Sequence, residues 1–159
     1  MRLLVSILTL ALAATACQSE SEEASRDNLD FAGLVTRGQE AFKSGRFDLA
    51  QDNYQRALNL QPDSAMVYNL VGMAYRFQYN QKQEPELKKQ EIAAFEKAVQ
   101  LQPKFVVALV NLGSSHYYAG NKTEASRYFK QVVELAPNHP EAELLKKMIA
   151  ESESPATEE

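Results

Sequence analysis

"ALNLQP" at residues 57–62, "AVQLQP" at 98–103 and "VVELAP" at 132–137 are three versions of one phrase, each closed by a proline. A phrase that returns in this way is the first sign of a repeat architecture. Upstream of each lies a glycine at a matching place: Gly38 in "LVTRGQEAF", Gly72 in "YNLVGMAY" and Gly113 in "LVNLGSSHYY". The spans from glycine to proline are 24, 31 and 24 residues, so the middle copy carries seven extra residues.

Each copy reads as two helices. In the third, Leu109, Leu112 and His116 share one helical face, "AGNKTEA" supplies a glycine turn, and Ala125, Phe129, Val132 and Val133 recur at spacings of three and four. Gly38, Gly72 and Gly113, with Ala50, Ala57, Ala94, Ala98 and Ala125, let helices approach closely, while Tyr54, Phe95 and Phe129 fill the larger gaps. The seven extra residues amount to almost two helical turns at about 3.6 residues per turn. One added turn in each helix of the second hairpin is the simplest solution. Val71, Tyr75 and Tyr79 then continue one face, and Leu87, Glu91 and Phe95 the other. Pro85 falls near the start of the second helix, where its missing N–H costs nothing. Lys82, Lys88 and Lys89 fall at or near the tip.

These residues resemble the tetratricopeptide repeat (TPR) family. The first copy matches its pattern through Leu34, Gly38, Gly45, Ala50, Tyr54, Ala57 and Pro62, and the second through Tyr68, Val71, Gly72, Tyr75, Phe95, Ala98 and Pro103. The third matches through Leu109, Leu112, Gly113, Gly120, Ala125, Phe129 and Pro137. Departures are Arg37 where Leu is usual, Ala41 and His116 where Tyr is usual, and Glu91 where a small residue is usual. The resemblance implies an all-α fold: a right-handed superhelical solenoid of three helix hairpins, about 31–64, 65–105 and 106–139, plus a capping helix over 140–150. In "PEAELLKKMIA", Pro140 suits a first helical turn, and Leu144, Leu145, Met148 and Ile149 make the stripe to be buried.

The resemblance also implies a site. In TPR proteins the first helix of each unit lines a concave groove. The matching positions are Val35, Gln39, Phe42 and Lys43, then Asn69, Met73, Arg76 and Phe77, then Val110, Ser114, Tyr117 and Tyr118. The partner-binding set expected here is Phe42, Lys43, Asn69, Met73, Arg76, Phe77, Val110, Ser114, Tyr117 and Tyr118, with Met73, Phe77, Tyr117 and Tyr118 as anchors and Arg76 and Lys43 as polar flanks. Val35 and Val110 stand where chaperone-binding TPR domains carry clamp residues, which argues against that class of ligand.

The ends of the chain bear on location. "LLVSILTLALAATA" after Arg2 has the layout of a secretory signal peptide over residues 1–16, and its 14 apolar-run residues fall short of the roughly 20 needed to span a bilayer. Ala14, Thr15, Ala16 and Cys17, the only cysteine, resemble the lipobox of bacterial lipoproteins, which implies acyl chains such as palmitate on Cys17. Gln18, in place of Asp, points to an outer-membrane lipoprotein facing the periplasm. Residues 17–30 read as an acidic tether and 151–159 as a disordered acidic tail.

Nine of the 21 acids and two of the 17 basic residues lie in these ends, which leaves 12 acids against 15 basic residues in the domain. That balance is too even for a nucleic-acid surface. The histidines, His116 and His139, occupy a core position and an inter-repeat turn, and make no recognisable metal site. No phosphate loop is present. No catalysis, metal or cofactor is expected. The functional expectation is a non-catalytic scaffold or adaptor that holds a protein or peptide segment at the envelope. The alternative is a self-associating structural lipoprotein, a homo-oligomer whose groove is its own interface.

Overall fold

The computed structural model describes residues 29–153. Among them run seven helices and no strand: α1 Phe31–Lys43, α2 Phe47–Leu60, α3 Ala65–Lys82, α4 Pro85–Leu101, α5 Val106–Tyr118, α6 Lys122–Leu135 and α7 Ala142–Glu153. Each packs chiefly against its neighbours in sequence, so the helices form hairpins stacked as a solenoid.

Local signals account for the helix ends. The Asp30 carboxylate accepts from the Gly33 N–H at 2.8 Å and caps α1, and the Ser64 hydroxyl accepts from the Val67 N–H at 3.4 Å at the start of α3. Gly45 and Gly120 turn the first and third hairpins at φ +73° and +83°, a region that a glycine enters without steric cost. The second hairpin turns on Gln83 at φ +55°. Its helices have 18 and 17 residues against 13 and 14 in each neighbour. The seven-residue excess therefore lengthens both helices, as its size predicts, and Pro85 occupies the first turn of α4.

Within each hairpin the glycine of the first helix faces an aromatic ring of the second. A Cβ at Gly72 would lie 2.6 Å from the Phe95 ring, and one at Gly113 2.5 Å from the Phe129 ring; Gly38 meets Tyr54 in the same way. All three rings are buried. Burial pushes the Tyr54 hydroxyl up to about 12.

The apolar core is divided. One cluster joins the first two repeats through Leu34, Ala50, Tyr54, Ala57, Val67, Val71 and Ala94. A second joins the third repeat to α7 through Leu109, Phe129, Val132, Leu145 and Met148. Between them lies a buried polar group, Glu91, on α4.

The terminal helix differs from its expected bounds of 140–150. Pro140 and Glu141 belong to the preceding turn, where His139 Nδ1 accepts from the Glu141 N–H at 3.2 Å, and helix begins at Ala142. It then continues through Glu153, so residues 151–153 are not part of a disordered tail. Tyr117 donates to the Glu151 carboxylate at 2.7 Å, Ser126 donates to Glu153 at 3.1 Å, and Lys130 pairs with Glu153, which gives these acids partners within the fold. At the other end Leu29 packs on the core and Asp30 caps α1, so the last two residues of the expected tether belong to the fold. The signal peptide, Cys17 and residues 154–159 lie outside the described residues.

The glycine contacts set a test. Gly72→Ala should force the Phe95 ring out of place and cost about 1–3 kcal/mol of stability. Chemical denaturation read by circular dichroism checks it; unchanged stability would mean that the ring has room to move.

Candidate functional site

The odd-numbered helices lie side by side as an inner row, and their side chains show it. Phe42 of α1 meets Phe77 of α3 with ring centroids 5.1 Å apart. Asn111 of α5 donates to Asn69 of α3 at 2.9 Å, and Tyr117 of α5 reaches Glu151 of α7. Apolar exposure follows the same row. Of eight large apolar side chains exposed among the described residues, five stand on it: Met66, Phe77, Val107, Tyr118 and Leu144. Met66 and Val107 each precede their repeat's glycine by six residues, and Phe77 and Tyr118 each follow it by five, so the exposure has the period of the repeat. Helix α4 contributes none of the eight.

The expected anchors are not one cluster. Phe77 joins Phe42 and also Phe47 of α2, 5.1 Å away, in an aromatic group at the first two repeats. Tyr117 and Tyr118 form an edge-on pair, 5.6 Å apart, in the third. Met73 is half-buried, with the Asn69 amide 4.0 Å from its sulfur. Tyr118 is 78% exposed, whereas Tyr117 is half-buried against the terminal cluster. Lys43 and Gln39 are exposed on α1, and Val110 and Ser114 are half-buried on α5.

Three residues expected to face the groove are placed differently. Val35 is buried in the first cluster. Asn69 is 5% exposed, because its side chain is spent on Asn111. Arg76, expected as a polar flank, is clasped inside the stack. Its Nε donates to Glu91 Oε1 at 2.8 Å, Nη1 donates to Asn111 Oδ1 at 3.0 Å, and Nη2 donates to the Asn111 carbonyl and to Ser115 Oγ at 2.8 and 2.9 Å. The guanidinium also lies 4.8 Å from the Phe95 ring centroid.

Glu91 is the reason. It occupies the place held by Ala50 and Ala125 in the other repeats, and is fully buried. A buried carboxylate is tolerated only when paired and hydrogen-bonded. Besides Arg76, it accepts from Ser115 Oγ at 2.6 Å and from Lys88 Nζ at 2.9 Å, and so ties α3, α4 and α5 together. Both acceptor oxygens are occupied.

The sequence reading missed Phe47, Met66 and Val107, and it expected Leu144 in the buried stripe of the last helix, of which only Leu145 and Met148 are buried and Leu144 is exposed. Counting outward from the glycines would have found Met66 and Val107. Phe47 faces Phe77 across repeats and left no comparable periodic sign. His116 is buried and stacked on Tyr128 at 5.7 Å, a packing role. Among the described residues no three His, Cys, Asp or Glu side chains gather as a metal ion would need, and no helix is long and apolar enough to cross a membrane.

A helical solenoid with a semi-apolar inner row is the class of module that fold and site define. Residues 31–64 and 106–139, the two hairpins that flank the lengthened one, match the tetratricopeptide repeat family model. A curated relative, photosystem I assembly protein Ycf3 of Rippkaea orientalis (strain PCC 8801 / RF-1), is 29% identical over 120 residues, covering 64% of this chain. The match spans 65% of that relative's length. Among solved structures, the first TPR domain of Spaghetti (RPAP3), bound to an HSP90 peptide, superposes with TM-score 0.68 at 23% identity, over 79% of this chain and all of that one. The Arabidopsis OM64 TPR domain gives TM-score 0.67 at 20% identity, over 76% of this chain and 94% of that one. The Yersinia enterocolitica type III secretion translocator chaperone SycD gives 0.64 at 15%, over 75% and 80%. These likenesses establish the all-α repeat fold.

Glu91→Ala would leave Arg76 and Lys88 without their shared partner. Both are only partly shielded from solvent, so the expected loss is about 2–3 kcal/mol, below that of a fully buried pair. In a double-mutant cycle, Glu91→Ala with Arg76→Leu should cost less than the sum of the single changes, because the second removes the orphaned charge. Denaturant titration of the four proteins measures it; strict additivity would show that the pair does not act as a unit.

Proposed function

We propose that this protein is a non-catalytic adaptor whose inner helix row holds a segment of a partner protein, tethered to the bacterial envelope by acyl chains on Cys17. The observation that carries the groove is the repeat-phased exposure of Met66, Phe77, Val107 and Tyr118, continued by Leu144 on α7. Repeat-phased apolar side chains in a line suit an elongated occupant, with methionine adapting its shape and tyrosine offering a hydroxyl beside an apolar ring. The Spaghetti (RPAP3) domain supports the reading by analogy, since it is bound to an HSP90 peptide. The relative in Rippkaea orientalis, a photosystem I assembly protein, supports a role in assembling other proteins. Val35 and Val110 still argue against a chaperone C-terminus as the occupant.

A photo-crosslinking residue in place of Val107 or Tyr118 should capture a discrete partner in the native envelope, while the same residue in place of Leu60 on α2 should not. Crosslinks solely between copies of this chain would favour the self-associating alternative. Equal capture from Leu60 would move the binding surface off the inner row.

The tether rests on the small residues before Cys17 and the apolar run ahead of them. A single acyl chain anchors only marginally, so two or more are needed for stable attachment. Labelled palmitate should enter the wild-type chain and fail to enter Cys17→Ser, which should also leave the membrane fraction. A wild type that takes up no label would refute the anchor and its outer-membrane, periplasm-facing placement.

A further inference from the structure

The lengthened hairpin forms a cavity against the third repeat. A space of about 360 Å³ lies where α3 and α4 run past the end of α5, lined by Arg76, Tyr79, Asn80, Lys88, Ser114 and Tyr118 among others. Tyr79 and Asn80 stand seven and eight residues after Gly72, whereas α5 ends five residues after Gly113. One wall therefore exists because of the added turn. No acidic side chain lines the space.

The charges around it do not cancel. Arg76 and Lys88 share a single carboxylate, that of Glu91, which leaves a net charge of +1. Glu91 is fully buried and both its oxygens are taken, so it cannot serve a further donor. The donors are not exhausted. An ammonium carries three N–H groups and a guanidinium five. Lys88 spends one on Glu91, Arg76 spends four on Glu91, Asn111 and Ser115 and keeps one, and the side chains of Arg76 and Lys88 remain 24% and 21% exposed. Around them, Ser114, Tyr79, Tyr118 and Asn80 bring hydroxyl and amide groups. The cavity holds surplus positive charge and surplus donors, and it lacks an anionic acceptor.

We propose that this cavity takes a carboxylate carried by the segment bound in the groove, seated between Lys88 and the Arg76 edge, with Tyr79 and Tyr118 flanking its apolar stem. The inference rests on the groove reading. A carboxylate matches the residual charge of +1, whereas a phosphate monoester, at about −1.5 to −2, would exceed it. The cations come from the inside of the second repeat and from α4, not from the positions of Val35 and Val110, so the seat belongs to the insertion and to the Glu91 departure from the repeat pattern.

The test needs no natural partner. Amide-resonance NMR of the full-length chain is followed during titration with inorganic phosphate and, separately, with three peptide probes: acetyl-Leu-Glu-Leu-amide, its glutamine counterpart, and the glutamine tripeptide with a free terminal carboxylate. The expected result is millimolar binding by a carboxylate-bearing probe, centred on Tyr79, Asn80, Ser114 and Tyr118, and at least about tenfold weaker binding by the blocked glutamine probe. Which charged probe binds tells a side-chain carboxylate from a chain terminus. Lys88→Arg should keep the response and Lys88→Gln lose it; should Lys88→Gln unfold, the wild-type comparison of probes still decides. Equal binding of all three probes, tighter binding of inorganic phosphate, or no response around the cavity would overturn the proposal. If Val107 still crosslinks a partner in that event, the groove reading stands and the carboxylate seat alone falls.

Discussion

The contact between a glycine on one helix and an aromatic ring on the next sets the geometry of every hairpin in this molecule. Tyr54, Phe95 and Phe129 lie against Gly38, Gly72 and Gly113 so closely that a methyl group has no place. Protein interiors are packed to crystal density, so a fixed closest approach also fixes where the remaining side chains of both helices meet. The alanines at 50, 57, 94, 98 and 125 follow from this, since each is buried where the helices stay near one another. The inner row follows as well, because helices spaced by equal hairpins bring equivalent positions to the same face.

Where the second repeat meets the third, directional bonds replace part of this shape-fitting. An alanine in the other repeats gives way to Glu91, which recruits Arg76, Lys88 and Ser115. Asn111 then links Arg76 to Asn69. Such a network contributes modest net stability, since pairing only offsets the cost of removing charge from water. Its contribution is angular: a guanidinium with donors on several sides accepts few orientations of its neighbours. The junction between the two apolar clusters is therefore set by bond direction, and each cluster on its own is set by packing.

Much of the fold was legible because it is periodic. Three glycines and three prolines at matching places gave the number of hairpins, and the arithmetic of the spacing gave the lengthening of α3 and α4. The ends were harder. Glu151 and Glu153 look like tail residues by composition, and Tyr117, Ser126 and Lys130, distant in sequence, tie them to the fold, with Lys147 a nearer partner of Glu151. Of the candidate site, the exposure of Phe77 and Tyr118 on the inner row was legible from the helical phase. Arg76 and Asn69 misled for one reason. Helical phase says which face a residue occupies, but whether a polar side chain reaches outward or inward depends on partners, and theirs come from α4 and α5. Glu91 was visible as a departure from the repeat pattern, and its consequence was not.

Gln83 shows how such a fold can change. It turns the long hairpin in the left-handed region, which costs a non-glycine residue roughly 1–2 kcal/mol. That strain sits at the tip, beyond the Gly72–Phe95 contact, where the neighbouring Lys82 reaches the first repeat through Asp48 at 3.1 Å. A solenoid is quasi-one-dimensional, each unit answering only to the units before and after it. It leaves the crosswise direction unregulated, so a hairpin can lengthen outward while its register along the stack is kept. In this chain, what is common to repeats is written along the axis, and what is individual is written across it.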